Sequence, residues 1–180
     1  FGHTMALSSN GSVYTIGQNT AGQLGNNSLT NSSIPVRVLK GAYAGTTNLG
    51  DQVANPIVSI SAGAFHSLAL GADGTVYGFG NNFPGKLGDS TTLNRLTPVR
   101  ALRGDYNGTQ FIGDNTVNPI ISMHGGFAHS TFIGLDGKVY STGDNSGGVL
   151  GDNTITSRIV PVQTKDVGGS GSLDLIMCGS

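Results

Sequence analysis

The chain has 180 residues, a net charge of −1 and only 11% charged residues. That is enough chain for one domain with its own core, but the charge is too balanced to grip nucleic acid or acidic lipid, which takes clustered Lys and Arg. No apolar run reaches the length of a membrane span, and Cys178, the only cysteine, excludes a disulfide within the chain and any cysteine-based metal site. Thirty glycines signal frequent turns and close backbone approaches. Low charge with abundant Thr, Asn and Gly is typical of secreted bacterial repeat proteins, so composition points to an extracellular or cell-surface location.

Read from the start, "FGHTMALSSNGSVYTIG" is a pair of short strands, and a chain that opens inside such a pattern reads as a piece of something longer. The phrase returns. His3, His66 and His129 recur every 63 residues, as do Tyr14, Tyr77 and Tyr140, then Asn19, Asn82 and Asn145, and so on to Pro35, Pro98 and Pro161. The long connections repeat as well: "GAYAGTTNLGDQVANPIVSIS" answers "GDYNGTQFIGDNTVNPIISMH". The repeats are approximately 1–63, 64–126 and 127–180, the last shortened after Pro161 and ending in "DLIMCGS".

In chain order, the second repeat predicts strands at Ile57 to Ala62, His66 to Leu70, Thr75 to Phe79 and Pro98 to Leu102. Asn10-Gly11, Asp73-Gly74 and Asp136-Gly137 sit between the second and third strands and predict type I′ hairpin turns. No segment carries a helical period. Four short strands per repeat predict an all-β chain of three four-stranded β-propeller blades. Three blades make a partial propeller, or part of a larger or oligomeric ring or a fibre. The first strand of the opening blade is missing, and "DLIMCGS" is the candidate to supply it.

"ISAGAFHSLAL" closely resembles the repeat of the regulator of chromosome condensation family, and "GFGNNFPGKLGDS" and "TIGQNTAGQLGNN" resemble its Gly-x-Asn…Gly-x-Leu-Gly segment. The Pro-Val pairs beginning at Pro35, Pro98 and Pro161 fit too. The likeness covers essentially the whole chain. The third copy departs at "MHGGFAHSTFI", where His124 and Gly125 replace two small residues and Thr131 stands in for Leu68 and Met5. The resemblance implies a ring of blades, of which the typical member closes seven.

Few residues invite chemistry. One histidine per blade spreads His3, His66 and His129 around an axis, so they read as structural, each ring wedged between strands with its N–H on a backbone carbonyl. His124 breaks the pattern and is the candidate functional histidine, as a protein contact. Asp89 and Asp152, and Asp51 and Asp114, read as loop caps; their spacing lacks the glycine and glutamate of a calcium-binding EF-hand loop. No Gly-rich stretch opens a helix as a phosphate cradle would. Arg37, Arg95, Arg100, Arg103 and Arg158 read as a solvated outer surface. Tyr43 and Tyr106, in the two long connections, are candidate protein contacts, because binding concentrates on loops held by a rigid frame. Asn10, Asn26, Asn31 and Asn107 begin Asn-x-Ser/Thr sequons and are candidate glycosylation sites.

The expectation is therefore a non-enzymatic structural or interaction module that needs no cofactor or metal. Its partners would be other copies of itself, further repeats of a longer chain, or another protein, with self-assembly as one outcome. The resemblance implies two alternatives: a protein-binding inhibitor, or a propeller that drives guanine-nucleotide exchange on a small GTPase.

Overall fold

The structure, a computed structural model, describes residues 2–173. Its eleven strands are β1 (His3–Leu7), β2 (Val13–Gly17), β3 (Ser32–Arg37), β4 (Ile57–Ala62), β5 (His66–Gly71), β6 (Val76–Gly80), β7 (Arg95–Arg100), β8 (Ile120–Gly125), β9 (His129–Gly134), β10 (Val139–Gly143) and β11 (Arg158–Gln163). They form three antiparallel meanders, β1-β2-β3, β4-β5-β6-β7 and β8-β9-β10-β11, the blades of an unclosed propeller. Sequence repeat and blade are out of phase by one strand: β4 ends the first repeat but opens the second sheet. The first sheet has three strands among the described residues, and the segment expected to complete it, 174–180, lies outside them.

Each second hairpin is tighter at one residue than expected. Gly11, Gly74 and Gly137 have φ of 85°, 86° and 81°, whereas Asn10, Asp73 and Asp136 stay at negative φ. A type I′ turn needs positive φ at both central residues. The loop is instead three residues long, Ala72-Asp73-Gly74, with Gly74 N–H donating to Gly71 O and Gly71 N–H to Thr75 O. The side chain decides this: Asp73 Oδ1 accepts the Thr75 N–H at 2.9 Å, an Asx-type bond that holds Asp73 in the ordinary region.

The fourth strand also differs, running from Arg95 to Arg100 rather than from Pro98 to Leu102. Tyr77 faces Arg100 and Gly78 faces Val99, then the register shifts and Gly80 faces Arg95. Pro98 falls in the shifted stretch of an edge strand, where a residue without an N–H removes no ladder bond. Its carbonyl is used across the seam, accepting Ala42 N–H from the preceding blade at 2.8 Å, and Pro161 O accepts Asp105 N–H in the same way. Gly41 and Gly104 make this approach possible, since a Cβ on either would overlap the proline carbonyl.

The core therefore lies between blades rather than within them. Val13, Val38, Tyr43, Leu49, Ile57, Ala69, Tyr77 and Phe79 fill the first seam. Leu68, Leu70, Val76, Ala101, Tyr106, Ile112, Ile120, Met123, Phe132 and Tyr140 fill the second. Each long connection folds back to place a tyrosine edge-on against the next blade's third strand: Tyr43 on Tyr77 at 5.5 Å and Tyr106 on Tyr140 at 5.4 Å. Such pairs add about 0.5–1.5 kcal/mol beyond area burial.

Candidate functional site

The repeated histidines sit at the seams. His3 Nε2 lies 2.9 Å from Ser67 Oγ of the next blade, and His66 Nε2 lies 3.0 Å from Ser130 Oγ. Each serine hydroxyl donates back to the histidine's own blade, Ser67 to Gln23 O at 2.8 Å and Ser130 to Lys86 O at 2.7 Å. A hydroxyl has one proton, so the imidazole must be the donor, through Nε2–H. The expected carbonyl partner is thus reached indirectly, through a serine 64 residues away. Burial pushes the His66 pKa down to about 3, which keeps its ring neutral. The glycine that precedes each histidine has a steric purpose: a Cβ on Gly63 would overlap the His66 ring, and one on Gly126 would overlap the ring of His129.

The carboxylates cap loops. Asp51 accepts Thr46 N–H and Oγ–H, Thr47 N–H and Asn48 N–H, and Asp114 does the same for Thr109, Gln110 and Phe111. These donors outweigh desolvation and hold both carboxyls down to about 2. Asp89 and Asp152 accept from Asn82 and Asn145 and pair with Arg95 and Arg158 at 2.6 Å. Those two arginines are therefore loop struts rather than solvated charges. Arg37 and Arg100 lie over the Tyr14 and Tyr77 rings at 5.9 and 5.8 Å, and Arg103 is exposed.

Tyr43 and Tyr106 are buried. Their hydroxyls donate to Asn55 O and Asn118 O, so both rings are core residues where exposed contacts were expected. The seam that encloses them is made by the following blade and has no signature in the loop itself. His124 is exposed on β8, at the repeat position of Ser61, whose Oγ accepts Gly125 N–H. Among the sequons, Asn10, Asn31 and Asn107 are exposed and Asn26 is half-buried, while Asn26 and Asn31 spend their Oδ1 atoms on Asn19.

Sequence reasoning passed over Lys86, which is buried with its Nζ donating to Phe127 O at 3.4 Å. Gln23 and Val149 hold its place in the other repeats. Desolvation lowers its pKa. The signal was the charge itself, a lysine where the other copies have none. Among the described residues, no three His, Cys, Asp or Glu side chains gather to hold a metal ion.

Meander sheets fanned side by side, with each core and each histidine clasp spanning two of them, define a β-propeller repeat module. Models of the regulator of chromosome condensation (RCC1) repeat match residues 10–70 and 57–85. The chain is 30% identical over 172 residues to a bifunctional serine/threonine-protein kinase/NEDD4-like E3 ubiquitin-protein ligase of Dictyostelium discoideum, covering 92% of this chain and 9% of that protein. It is 30% identical over 181 residues to the human probable E3 ubiquitin-protein ligase HERC6, covering 99% of this chain and 16% of that one. The crystal structure of Prp20p from Saccharomyces cerevisiae, described with its binding to Gsp1p and histones, superposes with a TM-score of 0.69 at 22% identity, over 93% of this chain and 37% of that one. The chain thus spans less than a fifth of these ligases and little more than a third of Prp20p.

These relatives overturn the extracellular, bacterial placement. They are eukaryotic, and Prp20p is described as binding histones. The composition misled for a physical reason: Gly, Asn and Thr are abundant because the scaffold is rich in tight turns and side-chain-capped loops, which report architecture and not compartment.

Proposed function

We propose that this chain is part of an RCC1-type propeller that acts by holding a protein partner, a small GTPase of the Gsp1p kind whose bound nucleotide it loosens. The observation that carries this reading is the superposition of the three-sheet array on Prp20p, described as binding Gsp1p. The build of the molecule suits the role. Its clasps and carboxylate caps hold loops in place, and loops on a rigid frame are where binding concentrates. Action by binding rather than covalent catalysis is part of the proposal. A secreted, self-assembling role finds no support among the relatives. The test is release of a fluorescent guanine nucleotide from Gsp1p on addition of the chain. Acceleration is expected, and the absence of any complex between the two would end this reading.

A second reading is favoured by the 30% identity to ubiquitin ligases: a recruiting platform in a larger protein, without exchange activity. Binding of the GTPase with unchanged nucleotide release would select it.

A further inference from the structure

Each of the two long connections turns on a glycine that no other residue could replace. A Cβ on Gly45 would overlap the Asp51 carboxylate and the Tyr43 ring, and one on Gly108 would overlap the Asp114 carboxylate and the Tyr106 ring. The capped loop therefore imposes glycine at both places. It imposes nothing on the residue before. The first connection reads Ala44-Gly45 and the second Asn107-Gly108. An asparagine followed by glycine carries its own chemistry, because no Cβ on the second residue keeps its backbone nitrogen away from the asparagine amide carbon.

The chain has one other such pair, Asn10-Gly11, and the fold treats the two differently. Reaction needs the peptide between the residues to turn until the glycine nitrogen faces Cγ, which takes local freedom of the backbone. Gly11 has none. It is buried in the hairpin of the first blade, packed against Pro56, with its carbonyl against Gly50. Asn10 Oδ1 is held by Ser12 N–H at 3.1 Å. Gly11 N–H donates to Ser8 O at 2.9 Å, inside a loop closed by Ser8 N–H to Ser12 O. Asn107, by contrast, is exposed and Gly108 is half-buried. The Asn107 side-chain amide makes no hydrogen bond among the described residues; only its backbone carbonyl is engaged. Gly108 N–H donates to Tyr106 O, a three-residue turn whose bond is bent and easily given up.

We propose that Asn107 is a site of spontaneous deamidation, and that conversion there loosens the second seam. The Gly108 nitrogen attacks Asn107 Cγ. The N–Cγ bond forms, the Cγ–Nδ2 bond breaks, and Nδ2 leaves as ammonia with the proton of the glycine N–H. Water then opens the cyclic imide. Opening at Cγ gives aspartate on an unaltered main chain, whereas opening at the main-chain carbonyl gives isoaspartate, with an extra atom in the backbone. Water is the sole co-reactant. The extra atom falls directly after Tyr106, whose ring packs edge-on against Tyr140 at 5.4 Å, and beside the carbonyl that accepts Asn115 Nδ2–H at 2.8 Å. The first connection, with Ala44 in this place, is immune.

The experiment ages the purified chain in mildly alkaline buffer, once folded and once in urea, and digests samples over time. Mass spectrometry of the peptides reads the gain of about 1 Da that marks each conversion, and enzymatic methylation of isoaspartate identifies the product. In the folded chain Asn107 should convert at least about fivefold faster than Asn10, and in urea the two rates should come within about twofold of each other, because only the fold separates them. Asn107→Ala, which copies Ala44, should accept no methyl group in this loop. Its melting temperature should hold on ageing while that of the wild type falls. Conversion at Asn107 no faster than at Asn10 in the folded chain overturns the site. An aged wild type that carries isoaspartate at 107 and still melts with the fresh protein overturns the loosening of the seam.

Discussion

The Nε2 atom of His66 lies 3.0 Å from the hydroxyl of Ser130, one blade further on. Because that hydroxyl is committed to Lys86 O, removing it strands two buried groups at once. Ser130→Ala should therefore cost about 2–3 kcal/mol, above the net worth of one neutral hydrogen bond. Ser67→Ala should also destabilise the first seam, where Gln23 O loses its hydroxyl donor. Urea unfolding followed by circular dichroism measures this, and an unchanged midpoint would show that the clasp contributes nothing.

The same ring sets a pH dependence. The His66 pKa falls from 6.5 to about 3 in the fold, so the unfolded chain takes up a proton that the folded chain refuses. Stability is full above pH 6.5 and declines as pH falls from there toward 3, by an amount on the order of 4 kcal/mol. Asp51 and Asp114, held near 2 against an ordinary 3.8, add a second decline below about pH 4, also in the acid direction. Chemical denaturation at a series of pH values should show both limbs. In a folded His66→Gln variant the upper limb should shrink while the lower one remains.

Glycine substitutions should separate by position. Gly63→Ala drives a methyl into the His66 ring and should destabilise by about 1–3 kcal/mol. Gly147→Ala meets only Val149 Cγ1 at 3.9 Å and should be neutral, or stabilising by up to about 1 kcal/mol through the unfolded state. Thermal melts of the two proteins side by side decide it, and equal effects would contradict the steric account.

Asp114→Asn keeps the shape of the side chain but replaces a charged acceptor of four donors by one neutral oxygen and an amide. The Thr109, Gln110 and Phe111 amides should exchange with solvent faster, while amides of β5 and β9 hold their protection. Uniform acceleration across all three blades would mean that the loop and the sheets open together.

Much of the architecture was legible because it is carried by spacing. A step of 63 residues survives translation into any fold that stacks equal units, and so the blades, their hairpins and the four strands of the middle sheet could be placed from the residues. The turn type could not, because Asp73 and Asn10 contribute through side-chain bonds to Thr75 and Ser12 that a glycine rule does not count. Pro98 and Pro161 marked the fourth strands but not their bounds, since the register shift that admits proline is a property of the pairing. Loop aromatics suggested exposure, and Tyr43 and Tyr106 are buried because each loop closes over the next blade's tyrosine.

From residue order alone came the number of units, the sheet class, the loop-capping aspartates and the structural character of the spaced histidines. These follow from short-range chemistry copied at a constant interval. Folding in three dimensions was needed to learn that the histidines speak to serines, that the core lies in the seams and that Lys86 is buried. Each of these depends on groups tens of residues apart being brought within a few ångströms, and neither local propensity nor period encodes that distance.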